Sequence, residues 1–178
     1  ESIHELENLR KKISSKNLNE QNPALSLAYW ITEIPVIYFP WGLQSCAIRF
    51  KNSLQENAKM HAISEDVIEA SHNGIVPWER MTNLKPILLE GKEDYVKTKE
   101  RWMILKEFFE KNKIEYKEVF SVKGSILSKI INLIYLLDYT SIYKAVISNI
   151  DPTPVAAINF VKNKLWYFKI IDYFIVDT

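Results

Sequence analysis

The sequence predicts an α/β fold, doubly wound, with a mainly parallel sheet flanked by helices. Short β-branched runs closed by Pro or Gly alternate with long stretches of helical periodicity, the pattern of βαβ units. At 178 residues, 47% of them apolar, the chain can fill one core, and a single domain follows. Internal repeats and low-complexity tracts are absent from the sequence.

The elements follow in order. Ile3, Leu6, Leu9 and Ile13 recur at helical spacing among charges, so the chain opens with a short amphipathic helix. A polar connector leads to Asn22-Pro23, a cap and a first-turn proline for a helix through Ala24, Leu27, Ala28 and Ile31. Ile34–Phe39 is β-branched, ends at Pro40 and reads as a buried strand. A helix from Gly42 to Lys59 carries Leu43, Ala47, Phe50 and Leu54 on one face. From Met60 to Leu84 periodicity fades and loop is expected. Lys85–Glu90, closed by Gly91, is the second strand, and Tyr95–Lys113 a helix with Trp102, Leu105, Phe108 and Phe109 inward. Tyr116–Val122 is the third strand, stopped by Lys123-Gly124. Ser125–Ile147 is a long helix expected to be buried on most sides. After Asp151-Pro-Thr-Pro154 a last helix runs from Val155 to Leu165, and the aromatic tail 166–178 reads as an interface strand or a non-native ending.

Charge and cysteine content exclude several classes. Basic and acidic side chains number 23 and 22 with no long basic block, so nucleic acid is not an expected partner. Cys46 is the one cysteine; it sits beside Ala47 and Ile48 on a packed helix face, which suits a reducing cytosol and argues against a nucleophile. The apolar stretches Ile126–Leu137 and Leu165–Val176 are short and interrupted by polar residues, so no membrane span is expected. The charged start at Glu1 is unlike a signal peptide, and its not being Met marks a processed chain or a piece of a longer one.

Glu56 and His72, sixteen positions apart, are the pair best suited to chemistry. A carboxylate can move a proton between neighbouring carbons and an imidazole can handle an oxygen-bound one. By residue type alone, a Glu near a helix end is ordinarily a solvated charge and an isolated His is ordinarily structural. Phe39–Ser45 has one glycine, flanked by Trp41 and Leu43, and makes no phosphate cradle; Lys123-Gly124-Ser125 is a better small anion nest. Glu5, Glu7 and the Glu65, Asp66, Glu69 group lack histidine at ligand spacing, so no metal site is expected. His4 and His61 read as surface residues, and the Trp/Phe stripe of the Tyr95–Lys113 helix as core.

Residues 1–165 resemble the C-terminal half of the bifunctional phosphoglucose/phosphomannose isomerases, built from two sugar-isomerase (SIS) domains. The likeness rests on NPALSLAYWITEIPVIY, FKNSLQENAKM, SHNGIVPWE, KPILLEG, KIINLIYLLDYTSIYKAVISNIDPTPV and VKNKL, in matching order and spacing. It implies an SIS-type domain acting in aldose–ketose isomerisation of hexose 6-phosphates, glucose and fructose and also mannose, through a cis-enediol. Glu56 would be the base, His72 the ring-opening group, and Lys162 a further lysine of the site. The resemblance implies no metal or organic cofactor, a cytoplasmic homodimer with a site built across the subunit boundary, and a partner N-terminal SIS domain that holds the phosphate. This chain departs from the family pattern at Phe39-Pro40-Trp41, at Gly74 and at Pro77. The alternative reading is a non-catalytic sugar-phosphate-binding SIS module, and a third is a structural interaction domain.

Overall fold

Four strands pair side by side in the order β2-β1-β3-β4, every pairing parallel: β1 (Ile34–Phe39), β2 (Ile63–Asp66), β3 (Leu84–Glu90) and β4 (Lys117–Phe120). The computed structural model describes the backbone of residues 2–175 and the side-chain surroundings of residues 2–166. Parallel neighbours need crossovers, supplied here by α3 (Gln44–Asn57), the single turn α4 (Val67–Glu69) and α5 (Val96–Lys111); α1 (Ser2–Ile13) and α2 (Pro23–Trp30) precede β1, and α6 (Ile126–Ile147) and α7 (Ala156–Ile175) follow β4.

Period-two alternation along β1 divides the core into two layers. Ile37 and Phe39 join Ile87 and Leu89 of β3 beneath α2, α3 and α6, with Phe50, Leu54 and Leu133 fully buried there. Val36 and Tyr38 point the other way, with Leu88, to meet Trp102, Leu105 and Phe109 of α5 and Trp78. Local chemistry sets the helix starts. Asn22 accepts hydrogen bonds from the N–H groups of Ala24 and Leu25, both at 3.0 Å, and Pro23 opens α2. Ser125 caps α6 by accepting from the Ser128 N–H. Cys46 is fully buried on α3, and burial pushes its thiol up to about 11, away from nucleophilic use.

Three expectations are corrected. The 60–84 stretch is not all loop, because Ile63–Asp66 adds β2 at one edge of the sheet. An edge strand is held by backbone pairing with β1 and can carry the charges that hid it. Helix α6 is not buried on most sides: Leu133, Leu136, Leu137 and Ala145 face the core, whereas Ile131, Ile142 and Val146 are exposed. Its 22 residues are long and apolar enough to cross a membrane by length and composition alone, a test that core helices also meet; here it packs on α1, α2 and α3. The last helix does not end at Leu165 but continues to Ile175, so residues 166–175 are not a strand. Residues 176–178 of the tail lie outside the described residues.

Candidate functional site

The chain direction separates the residues that the sequence brings forward. In a right-handed β1–α3–β2 crossover the helix runs antiparallel to both strands. Glu56, in the last turn of α3, therefore stands at the amino-terminal edge of the sheet, on the α3/α6 face. His72 follows the carboxyl end of β2 in a π-turn, Ala70–Gly74, whose neighbours Val67, Ala70 and Trp78 pack on the α5 face. Lys162 is exposed on α7. Among the described residues no hydrogen bond or ion pair joins any two of these three side chains.

Glu56 is exposed and lines an open cleft of about 1110 Å³ between α3 and α6. Arg49 grips Asp138 of α6 across this cleft with two N–H donors, at 3.0 and 2.7 Å, and Ser53 Oγ donates to the same carboxylate at 3.0 Å. One helical turn on, Asn57 Nδ2 donates to Ser141 Oγ at 2.8 Å. These polar ties fix the end of α3 while leaving the Glu56 carboxylate free to face solvent or a second protein surface. Lys59, at φ 54°, turns back and donates to the Glu56 carbonyl at 2.6 Å and the Pro152 carbonyl at 3.3 Å. The base candidate is thus tied to the segment that leads into the helix carrying Lys162. Sequence spacing could not reveal the Arg49–Asp138 pair, since 89 residues separate its members.

At the carboxyl ends of the strands, where such sheets commonly bind ligands, the chain satisfies itself. After β1 a 3-10 turn, Trp41–Leu43, leaves Trp41 exposed; a Cβ on Gly42 would come within 3.2 Å of Ile126, so glycine lets α6 approach. Beside the Lys123-Gly124-Ser125 turn lies a carboxylate of the chain itself. Glu93 pairs with Lys129 at 3.1 Å, and Lys129 first, then the nearby Gly124 backbone, holds its carboxyl below the ordinary range. Gly124 reaches this geometry at φ 108°, open to few other residues.

Beside it lies a cluster that sequence reasoning missed. Glu90, 6% exposed at the end of β3, shares Lys106 of α5 with Glu118 of β4. Lys106 Nζ lies 2.9 Å from Glu90 Oε1 but directs its hydrogen bond to Oε2, leaving Oε1 a charge contact only. Burial, opposed by Lys106 and reinforced by Glu118, pushes Glu90 up to about 7. Burial draws Lys106 down, but the two carboxylates outweigh it and hold the lysine above its ordinary range. A raised carboxyl means the folded state holds the proton longer than the unfolded chain. Glu90 therefore costs nothing below pH ~4.5, and its cost grows as pH rises to about 7. Glu90→Gln is expected to flatten the fall in stability across that window, by on the order of 1–3 kcal/mol. Denaturant titrations at pH 4.5 and 8 check it; an unchanged pH slope contradicts it.

The four-stranded parallel sheet with helices on both faces places the chain among the doubly wound α/β domains. A glucose-6-phosphate isomerase-like protein of Thermus thermophilus has the same fold, with a TM-score of 0.67 and 22% identity, covering 85% of this chain and 50% of that one. Residues 20–165 match the bacterial phospho-glucose isomerase C-terminal SIS domain, and the chain belongs to that family. It is similar to the bifunctional phosphoglucose/phosphomannose isomerase of Caldicellulosiruptor bescii, 32% identical over 95% of this chain and 52% of the relative. The protein of that name from Thermoplasma acidophilum is also 32% identical, over 93% of this chain and 52% of the relative. The chain thus spans about half the length of these curated relatives.

Proposed function

We propose that this chain is the C-terminal half of an aldose–ketose isomerase acting on hexose 6-phosphates, glucose and fructose 6-phosphate and also mannose 6-phosphate. The observation that carries the reading is the likeness, over 95% of the chain, to a relative named for both activities. In the reaction, His72 and Lys162 assist opening of the sugar ring. Glu56 takes the C2 proton as the carbonyl oxygen on C1 is protonated, giving a cis-enediol. The proton returns to C1 while the hydroxyl on C2 gives up its own, leaving the ketose. Fixed donors and positive charge stabilise the enediol, and the scheme needs no metal or organic cofactor.

The opposite placement of Glu56 and His72 supports a site assembled from two chains, with His72 supplied by the partner in a homodimer. The phosphate, for which the described residues of this half offer no open cradle, falls to a preceding SIS domain. Remote phosphate binding then contributes the energy that positions the reacting carbons.

One experiment tests both parts. This chain alone is expected to show no isomerase activity, and the two-domain protein to interconvert glucose and fructose 6-phosphate. Within the two-domain protein, mixing a Glu56→Gln subunit with a His72→Asn subunit is expected to restore part of the lost rate. No restoration on mixing, with dimers formed, would place both groups in one subunit's site.

A further inference from the structure

We propose that Glu65 is a positioning residue for the His72 turn: its carboxylate fills the space left open at Gly74 and holds the turn in place. This rests on the reading of His72 as the ring-opening group. A Cβ added to Gly74 would lie 2.2 Å from Glu65 Oε2, 2.7 Å from Cδ and 2.9 Å from Oε1, distances no pair of atoms can share. The carboxylate therefore occupies the place where any other residue at 74 would carry its side chain. Gly74 has no left-handed φ; that conformation is confined to Gly124 among the chain's glycines. What glycine supplies at position 74 is room, and the room is taken by an acid from a neighbouring strand.

The rest of the turn shows why such a contact matters. Both of its ends are anchored. Asp66 Oδ1 accepts from the Ile68 N–H at 2.7 Å, Ser71 Oγ donates to the Val67 carbonyl at 2.6 Å, and Val67 and Ala70 are buried. Beyond the turn, Trp78 is buried and donates through Nε1 to the Tyr38 hydroxyl at 2.8 Å. Between these anchors His72 and Asn73 are exposed, and glycine adds backbone freedom. Glu65 reaches the turn from a rigid base, paired in register with Tyr38 on β1. The Glu65 carboxyl is half-buried and raised, by burial first and then by Glu69 and Asp66, as befits an acid seated by packing rather than drawn to a cation.

The test compares Glu65→Ala, Gly74→Ala and the double variant in this chain, by NMR of the His72 ring and the Asn73 amide. Because the flexible carboxylate yields more easily than the backbone, Gly74→Ala should expel it and reproduce the shifts of Glu65→Ala. The double variant should shift no further than either alone, and Glu65→Gln, which keeps the shape, should retain most of the parental spectrum. Additive shifts, or a silent Gly74→Ala, would overturn the proposal. In the two-domain protein, Glu65→Ala should slow turnover of ring-form substrate about tenfold and spare an open-chain analogue. Should His72→Asn leave turnover intact while the non-additive shifts persist, the role given to His72 fails and the Glu65 contact stands as structure only. Should His72→Asn abolish turnover while the shifts add, the Glu65 proposal alone fails.

Discussion

Glu56→Gln in the two-domain protein is expected to lower kcat by at least ~10²-fold and leave KM nearly unchanged. The substitution keeps the volume and one acceptor oxygen but removes the group that can take a proton from carbon. Binding is spared because a base acts on the substrate mainly in the transition state, whereas the phosphate contributes alike to ground and transition states. Folding is spared because Glu56 is exposed, while Ala47, Phe50 and Leu54 of the same helix carry its packing. His72→Asn should act differently, slowing cyclic substrate more than an open-chain analogue. Steady-state kinetics with both substrate forms separates the two. A Glu56→Gln protein that turns over hexose phosphate at the parental rate would reduce Glu56 to a solvated helix-end carboxylate. A non-catalytic sugar-phosphate-binding module would then be the better account.

Phe109→Ala is expected to cost ~3–5 kcal/mol of folding stability. The ring is fully buried on α5 at the centre of an aromatic group. Trp78 meets it edge-on at 5.5 Å, Tyr116 lies at 5.7 Å, Phe108 at 6.2 Å and Tyr38 at 6.5 Å. Truncation removes the ring's own burial and leaves a cavity that four aromatic neighbours cannot close without leaving their rotamers. A domain of this size commonly has only ~5–15 kcal/mol in all, so the loss is a large share. Trp78 follows the His72 turn closely, so its loosening should also broaden the His72 NMR signals. On the same helix, Met103 is 62% exposed, and Met103→Ala should change stability by no more than ~0.5 kcal/mol. Chemical denaturation of the two variants checks the contrast; equal losses would mean that α5 does not pack as described.

Legibility in the sequence followed how local each signal was. Asn22-Pro23 announces α2 because cap and proline act within one turn. The runs Ile34–Phe39 and Lys85–Glu90 announce central strands because both faces are covered and every position favours apolar side chains. Ile63–Asp66 stayed hidden because an edge strand needs little more than a free backbone beside β1. The partial exposure of α6 is not legible because apolar content does not say how many neighbours a helix will find. That the Glu93 carboxylate lies beside the Lys123-Gly124-Ser125 turn and pairs with Lys129 depends on the packing of distant segments, which spacing does not reveal.

The sequence by itself determined the α/β class, three of the four strands and the helices between them. Those conclusions rest on periodicity, turn chemistry and side-chain type, all of which act over a few residues. Tertiary structure alone decided that Glu56 and His72 stand at opposite edges of the sheet, that Arg49 meets Asp138, and that Glu90 shares a lysine with Glu118. It also decided that Glu65 takes the room at Gly74. Each of these depends on which way a crossover helix runs and which face of a strand a side chain takes, and both are set when distant segments pack together.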